Sequence, residues 1–168
     1  MSGQNEITLK VAEPRDAQGT LKLLQQINQE TNVVMIDHLG SLTIADEQDY
    51  LHEINLRSDC LVLLAVQNER PVGIVTVTKI DEEANAGELG IAVLKQLWSQ
   101  GIGTMLVNEA TYWFKNYSSL DHLVLDVFKN NQRALTLYRK TGFVQTSTAS
   151  REDSCGKQQS VILMEYQN

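Results

Sequence analysis

A pair of glycines separated by one residue is the first feature of this sequence that could do chemistry. Gly101 and Gly103 lie in QLWSQGIGTML (residues 96–106), between the run ELGIAVLK and a stretch with helical spacing. A glycine turn that opens a helix can hold a phosphate, because the first backbone N–H groups of a helix lack internal partners and the helix dipole favours negative charge. The segment indicates either a phosphate-binding turn or a turn that needs glycine only for its backbone geometry.

Two nucleotide-binding motifs can be tested against this turn. A Walker loop requires a Lys-Ser/Thr pair after its last glycine, but Thr104 follows Gly103 directly. A dinucleotide fingerprint requires a further glycine or alanine three residues after Gly103, and that position is Leu106. The first motif is absent and the second matches poorly, which leaves other phosphate compounds and the purely structural turn.

A second set of polar residues lies in NNQRALTLYRKTGF (residues 130–143). Asn131, Ala134 and Tyr138 are separated by three and four residues, so a helix places them on one face. Spacing by itself favours a half-buried packing role for Tyr138 and a helix cap for Asn131. A chemical role for them depends on the elements that surround them.

The hydrophobic pattern predicts the elements that position these residues. Alternating or continuously apolar runs indicate seven strands, at residues 7–14, 60–67, 71–80, 87–95, 122–128, 143–150 and 160–167. Helical spacing and capping residues indicate four helices, at residues 15–31, from Thr43, from Gly101, and from Asn130 or Asn131 to Gly142. The order β-α-α-β-β-β-α-β-α-β-β predicts a mixed α/β sheet in one domain that covers residues 1–168.

Composition argues against several classes of function. The chain has 168 residues and a net charge of −7, a balance that argues against general nucleic-acid binding and suits a cationic partner such as an amine. No apolar run reaches the length of a membrane span, and the polar start MSGQNEITLK lacks the core of a signal peptide. We therefore expect a cytoplasmic protein with neither a membrane nor a nucleic-acid partner.

Histidines and cysteines form no pattern typical of a metal site. His38, His52 and His122 are scattered, with no cysteine or carboxylate at metal-ligand spacing. Cys60 begins an apolar strand and Cys155 lies in a polar loop, and two cysteines are too few for a disulfide framework. We expect no metal and no disulfide framework.

Two segments together resemble the GNAT superfamily of acyl-CoA-dependent N-acyltransferases. The family's turn has the form Gln/Arg-x-x-Gly-x-Gly/Ala, and its later segment reads L-x-V-x-x-x-N-x-x-A-x-x-L-Y-x-x-x-G-F. This sequence supplies both glycines and, in register, Leu125, Val127, Asn131, Ala134, Leu137, Tyr138, Gly142 and Phe143. The resemblance is close over residues 60–145 and implies a central mixed sheet of six to seven strands flanked by about four helices. Trp98 departs from the pattern, at the Gln/Arg position.

The resemblance implies that acetyl-CoA binds around the glycine turn as a co-substrate. In this family the strands before and after the long helix splay apart, and the pantetheine arm of coenzyme A pairs with the exposed strand edge. The backbone of Ile91, Ala92 and Val93 would supply these bonds, and the N–H of Ala92 would polarise the thioester carbonyl. The residues that would hold the pyrophosphate are Ser99, Gln100, Gly101, Ile102, Gly103 and Thr104.

The same resemblance implies roles for side chains. Tyr138 would protonate the departing thiolate, which a phenol with a pKa near 10 can do as charge develops. Asn131 would hydrogen-bond the pantetheine, and Ala134 would allow its close approach. Glu88 would be the general base that deprotonates the attacking ammonium, although a solvated residue at a strand start is an equal alternative. Asp126 and Glu30 rank below it.

The predicted reaction is direct transfer of an acetyl group from acetyl-CoA to a primary amine of a small molecule or peptide. An acyl-CoA-binding module without catalysis is the alternative. By resemblance, residues 28–57 wall the acceptor site, and their carboxylates would favour a cationic amine: Glu30, Asp37, Asp46, Glu47 and Asp49. The sequence does not decide whether the acceptor is a protein N-terminus, a lysine, a polyamine or an amino-sugar drug. A homodimer is also possible by resemblance, and the C-terminal strand is a candidate edge of the sheet through which two copies could pair.

Overall fold

Seven strands form one sheet in the computed structural model, which describes residues 6–30, 42–153 and 155–167. The strands are β1 (Thr8–Val11), β2 (Leu61–Gln67), β3 (Arg70–Asp81), β4 (Ala86–Val93), β5 (His122–Phe128), β6 (Phe143–Glu152) and β7 (Gln158–Tyr166). The helices are α1 (Ala17–Glu30), α2 (Ile44–Asn55), α3 (Ile102–Asn116) and α4 (Gln132–Lys140). The predicted order of elements and the mixed α/β class are confirmed.

The order of the strands across the sheet is β1-β2-β3-β4-β5-β7-β6. Neighbouring strands are antiparallel, except for the parallel pair β4 and β5. The C-terminal strand β7 enters between β5 and β6 and is paired on both sides. The prediction that this strand is an edge is therefore wrong. The edges of the sheet are β1 and β6, because the final hairpin places its first strand outermost.

The two parallel strands separate soon after they meet. Their pairing covers only the register from Ala86↔His122 to Glu88↔Val124, whereas β4 continues to Val93 and β5 to Phe128. Beyond Glu88 each strand therefore presents an unpaired edge to the other. This wedge is the splay that the family resemblance implied.

Side-chain caps fix the starts of two helices. The Thr43 hydroxyl accepts a hydrogen bond from the Asp46 N–H at 3.0 Å, and the Asp46 carboxylate accepts from the Thr43 N–H at 3.1 Å. This reciprocal capping box starts α2 where the sequence predicted it. At α4 the Oδ1 atom of Asn131 accepts from the Ala134 N–H at 3.2 Å, which confirms Asn131 as a helix cap.

The apolar core lies between the sheet and its helices. Most of β2 is buried, as its continuously apolar sequence predicted, and Leu64 and Ala65 are fully inaccessible. The apolar stripe of α3 packs against β2, β3 and β4, and its central members Leu106 and Ala110 are also fully buried. Among the described helices, none combines the length and apolar character that crossing a bilayer requires.

Gly87 at the start of β4 is required by close packing. A Cβ atom added there would lie 2.5 Å from Leu120 Cδ1 and 2.8 Å from Val77 Cγ1. We expect Gly87→Ala to lower the free energy of unfolding by about 1–3 kcal/mol, because overpacking displaces buried neighbours. Urea denaturation measures this loss. Gly90→Ala is the matched control, since its added Cβ would meet only Thr76 Oγ1, at 3.3 Å; an equal loss in both variants would contradict the packing argument.

Candidate active site

A cavity of about 810 Å³ opens where β4 and β5 separate. Its wall includes residues from β4, the glycine turn, the start of α3, β5, α4 and the end of β6. The predicted site residues in this wall are Glu88, Ile91, Ala92, Val93, Ser99, Gly101, Ile102, Gly103, Thr104, Asn131, Ala134 and Tyr138. Gln100 lies in the turn but does not line the cavity. The structure thus brings the two motifs of the sequence into one space.

The open edge of β4 is set by its register with β3. The Leu94 N–H donates to Val72 O at 3.0 Å, and the register continues through Ala92↔Ile74 and Gly90↔Thr76. Since the backbone groups of an antiparallel strand alternate in direction, Ala92 bonds towards β3. The backbone N–H and C=O groups of Ile91 and Val93 then point towards the open edge of β4. The register therefore favours Ile91 or Val93, rather than Ala92, as the source of a free N–H.

The glycine turn leads directly into α3. Gly101 is the N-cap residue in a left-handed conformation, with φ of 85°, and a Cβ there would meet nothing within 4 Å; glycine is needed for its backbone conformation. The first helical hydrogen bond is donated by Met105 N–H to Gly101 O, at 3.0 Å. The N–H groups of residues 102–104 therefore have no partner within the helix. This arrangement suits an anion such as a phosphate.

Gly103 serves the contact between α3 and α4. A Cβ atom there would lie 3.1 Å from Leu137 Cδ2 and 3.6 Å from Ile91 Cδ1. Glycine at this position lets the turn approach α4 and β4 closely. Glycine is therefore required at position 101 for the backbone conformation and at position 103 for close packing. Both requirements are independent of any role in binding phosphate.

Trp98 joins the turn to the end of β4 and to the start of α4. Its Nε1–H donates to Val93 O at 2.8 Å. The guanidinium carbon of Arg133 lies 3.5 Å from the centre of the indole ring, and Lys95 Nζ lies 5.9 Å from it. Partial burial lowers the pKa of Arg133, and an arginine guanidinium stays protonated in proteins. The turn therefore carries positive charge beside its free N–H groups.

Tyr138 is nearly buried in α4, with 6% of its surface exposed. Its ring packs edge-on against Phe143, with 5.8 Å between the centroids. Burial, and then the negative charge of Asp126, raise the pKa of the Tyr138 hydroxyl above its ordinary value. The hydroxyl is therefore protonated over the whole physiological range. No hydrogen-bond partner for it occurs among the residues that the structure describes, so it can donate to a ligand.

Glu88 lies at the point where the wedge opens. It keeps contact with solvent, but the walls of the cleft partly desolvate its carboxylate. This desolvation and then the like charge of Asp126 raise the pKa of Glu88, while Arg151 acts in the opposite direction. A carboxylate with a raised pKa is a better proton acceptor than an ordinary glutamate.

Asp126 and Arg151 complete the charged end of the cavity. Arg151 Nε lies 2.7 Å from Asp126 Oδ2, and both residues line the cavity. Asp126 ranks below Glu88 as a base on sequence grounds, and Arg151 is not among the residues predicted for the site. Arg151 belongs to the outermost strand β6, and its side chain reaches Asp126 on β5 across the intervening strand β7. No local pattern in the sequence signals that contact.

The other carboxylates suggested for the acceptor region have different positions. Glu30 Oε1 accepts from the Lys95 N–H at 2.9 Å, which fastens α1 to the segment after β4; Glu30 does not line the cavity. Asp46 caps α2, Glu47 is buried, and Asp49 lies on α2. Asp37 falls outside the described residues.

In the part of the chain that the structure describes, no group of three or more potential metal ligands is found.

Comparison with known proteins agrees with this geometry. A model of the acetyltransferase (GNAT) family matches residues 24–143. The L-amino acid N-acetyltransferase AaaT of Escherichia coli (strain K12) is 24% identical over 151 residues, which are 88% of this chain and 88% of that relative. The family match, which extends over more than half of the chain, supports the expected activity class of N-acetyltransferase.

Solved structures share the whole architecture. An acetyltransferase of the GNAT family from Streptococcus pneumoniae is 30% identical, with a TM-score of 0.88, and the match covers 95% of this chain and 98% of that one. The spermidine N-acetyltransferase from Vibrio cholerae, solved with CoA and spermine, is 19% identical with a TM-score of 0.74 over 95% and 94% of the two chains. The second likeness shows the fold alone. Together, the family match and the first structure confirm the resemblance read from the two motifs: the chain belongs to the acetyltransferase (GNAT) family.

Proposed function

We propose that the protein transfers the acetyl group of acetyl-CoA to a primary amine by direct attack within a ternary complex. The observation that carries this proposal is the single cavity shared by the open edge of β4, the first turn of α3, Tyr138 and Glu88. One end of this cavity suits a phosphate and the other suits an amine. The acetyl group would lie between them.

Coenzyme A fits the groups along this cavity. The free N–H groups of residues 102–104 and the guanidinium of Arg133, which lines the cavity, would hold the pyrophosphate. The pantetheine arm would pair with the backbone of Ile91 and with the Val93 N–H. The carbonyl of Val93 is already an acceptor for Trp98, so it is less available to the arm. Asn131 and Ala134 line the same passage.

The transfer step can be written with named groups of the chain. Glu88 accepts one proton from the acceptor ammonium, directly or through water, and the amine nitrogen attacks the thioester carbon. The Ile91 N–H, on the open edge, polarises the carbonyl oxygen as charge develops there. The C–N bond forms, the C–S bond breaks, and Tyr138 donates its proton to the leaving sulfur. The second proton lost by nitrogen restores the Tyr138 hydroxyl, so the products are an N-acetylated amine and free coenzyme A.

Release of thiol from acetyl-CoA, measured over a panel of amines, tests this function. We expect release that depends on both the enzyme and an amine, with the N-acetyl product found by mass spectrometry. Binding of acetyl-CoA without release for every amine tested would instead support the non-catalytic binding module.

The position of Trp98 gives an optical test of where coenzyme A binds. Trp98 lines the cavity and Trp113 does not. We expect coenzyme A to change the tryptophan fluorescence of Trp113→Phe, whose remaining indole is Trp98, and to leave the emission of Trp98→Phe unchanged. The two variants control for each other, since each keeps one indole. A response confined to Trp98→Phe would place the ligand elsewhere.

A further inference from the structure

The acceptor end of the cavity holds more charged groups than the transfer reaction needs. Glu88 lies on β4, Asp126 on β5 and Arg151 on β6, and all three line the cavity. A general base requires one carboxylate only. The second carboxylate and the guanidinium therefore need a separate explanation.

The register of the sheet places the two carboxylates side by side. Glu88 pairs with Val124, and Asp126 follows Val124 by two residues, so its side chain leaves the same face of the sheet. At this level β4 and β5 have separated, and the Asp126 carboxylate faces the opening beside Glu88. Their proximity is also visible in the like-charge effect of Asp126 on Glu88. A cation that enters the wedge therefore meets two carboxylates.

Arg151 supplies the only cation that the described residues bring against this pair. Its Nε atom contacts Asp126 Oδ2 at 2.7 Å. No described residue accepts a hydrogen bond from its Nη atoms, so these donors are available to a ligand. The side chain is 54% exposed and that of Asp126 is 30% exposed, and ion pairs so open to water contribute little to stability. The pair is better explained by recognition than by folding.

We propose, on the basis of the acetyl transfer proposed above, that the acceptor is a small molecule with a carboxylate beside its amine, as in an α-amino acid. Arg151 binds the acceptor's carboxylate through its Nη donors while its Nε holds Asp126. Glu88 and Asp126 bind the ammonium, and Glu88 then removes its proton. A guanidinium fork matches a carboxylate in geometry and charge.

This assignment separates the acceptors that the sequence left open. A polyamine places a second cation where Arg151 lies, and like charges repel each other there. A protein N-terminus has a neutral amide next to its amine, and a lysine side chain has only methylene groups there, so neither offers a carboxylate to the Arg151 donors. Only a free amino acid or a close analogue satisfies all three charged groups.

The decisive comparison uses acceptors that differ in one group. Steady-state constants for a panel of L-amino acids, each beside its α-amide, and for spermidine would be measured with the full chain and saturating acetyl-CoA. The α-amide has the less basic amine, so its free base is more abundant and intrinsic reactivity favours it. We nevertheless expect the wild-type chain to have higher kcat/KM for the free acids and little turnover of spermidine.

Variants at Arg151 show whether this residue causes the preference. Arg151→Gln should raise KM for the free acids about tenfold or more, as loss of a charged hydrogen-bonded pair implies, with a smaller change in kcat. The same variant should lower kcat/KM for the amides by a clearly smaller factor, because an amide loses only the position of Asp126 that Arg151 holds and has no carboxylate contact to lose. Arg151→Lys keeps the charge without the fork and should fall between the two. Arg70→Gln removes an exposed arginine outside the cavity and should change none of these constants.

The outcomes are distinguishable from failure of the acetyl transfer itself. Equal use of acids and amides by the wild-type chain, faster turnover of spermidine, or an equal effect of Arg151→Gln on acids and amides would overturn the amino-acid assignment and leave the acetyl transfer standing. An absence of turnover with every acceptor would overturn the acetyl transfer, and the assignment with it. Thermal unfolding of the variants shows whether Arg151→Gln is folded; if it is not, Arg151→Lys gives the same comparison.

Discussion

Replacing Tyr138 with phenylalanine should lower kcat by about a hundredfold or more and leave the dissociation constant of acetyl-CoA within about twofold. The phenylalanine ring keeps the edge-on contact with Phe143, so packing is preserved. What disappears is the buried phenol hydroxyl that lines the cavity, whose pKa is raised by burial and by the charge of Asp126. Without it, the sulfur leaves as an unassisted thiolate, and the cost falls on the transition state rather than on binding.

Tyr166→Phe is the matched control for this variant. Tyr166 also packs against Phe143, with 5.5 Å between the ring centroids, but it does not line the cavity. Loss of its hydroxyl should leave kcat unchanged. Stopped-flow and steady-state measurements of thiol release, with calorimetry for acetyl-CoA affinity, separate the two effects. If kcat of Tyr138→Phe equals that of the wild type, Tyr138 is a packing residue and not the proton donor.

Replacing Glu88 with glutamine should lower kcat/KM at neutral pH by about a hundredfold and change the shape of the pH profile. The pKa of Glu88 is raised in the folded protein, and the base acts only when deprotonated. Activity of the wild-type chain should therefore fall as the pH drops through that raised pKa. The glutamine variant cannot accept the proton, so its rate should instead rise with pH as the free amine becomes more abundant. The profile shifts towards higher pH.

Glu109→Gln provides the control for Glu88, since Glu109 is an exposed residue of α3 outside the cavity. Its pH profile should match that of the wild-type chain. A Glu88→Gln variant that retained the wild-type profile would exclude Glu88 as the base. Asp126, the other carboxylate at the wedge, would then be the next candidate.

Features that depend on short stretches of sequence could be predicted. The glycine turn, the capping residue Thr43 and the helical face with Asn131 and Tyr138 are set by residues within about one or two turns of one another. The continuous apolar character of β2 likewise predicted its burial. The same locality made the two family motifs recognisable, and with them the fold and the splayed strands.

Features that depend on pairing between distant segments could not be predicted from the sequence. Nothing in the C-terminal hairpin indicates that β7 rather than β6 lies beside β5, and the contact of Arg151 with Asp126 is made across that intervening strand. The direction of the Ala92 backbone depends on its register with β3, which a single strand does not reveal. The stack of Arg133 on Trp98 depends on how α4 meets the turn. Each of these was therefore missed or misassigned.

Every step of the proposed transfer requires that the cavity between β4, α3 and α4 binds acetyl-CoA. Titration calorimetry of acetyl-CoA into the purified chain tests it most directly. We expect saturable binding at one site, and its loss in Ala134→Trp, whose side chain would occupy the passage that Ala134 lines. Absence of binding to the wild-type chain, or equal binding by a folded Ala134→Trp variant, would contradict the claim.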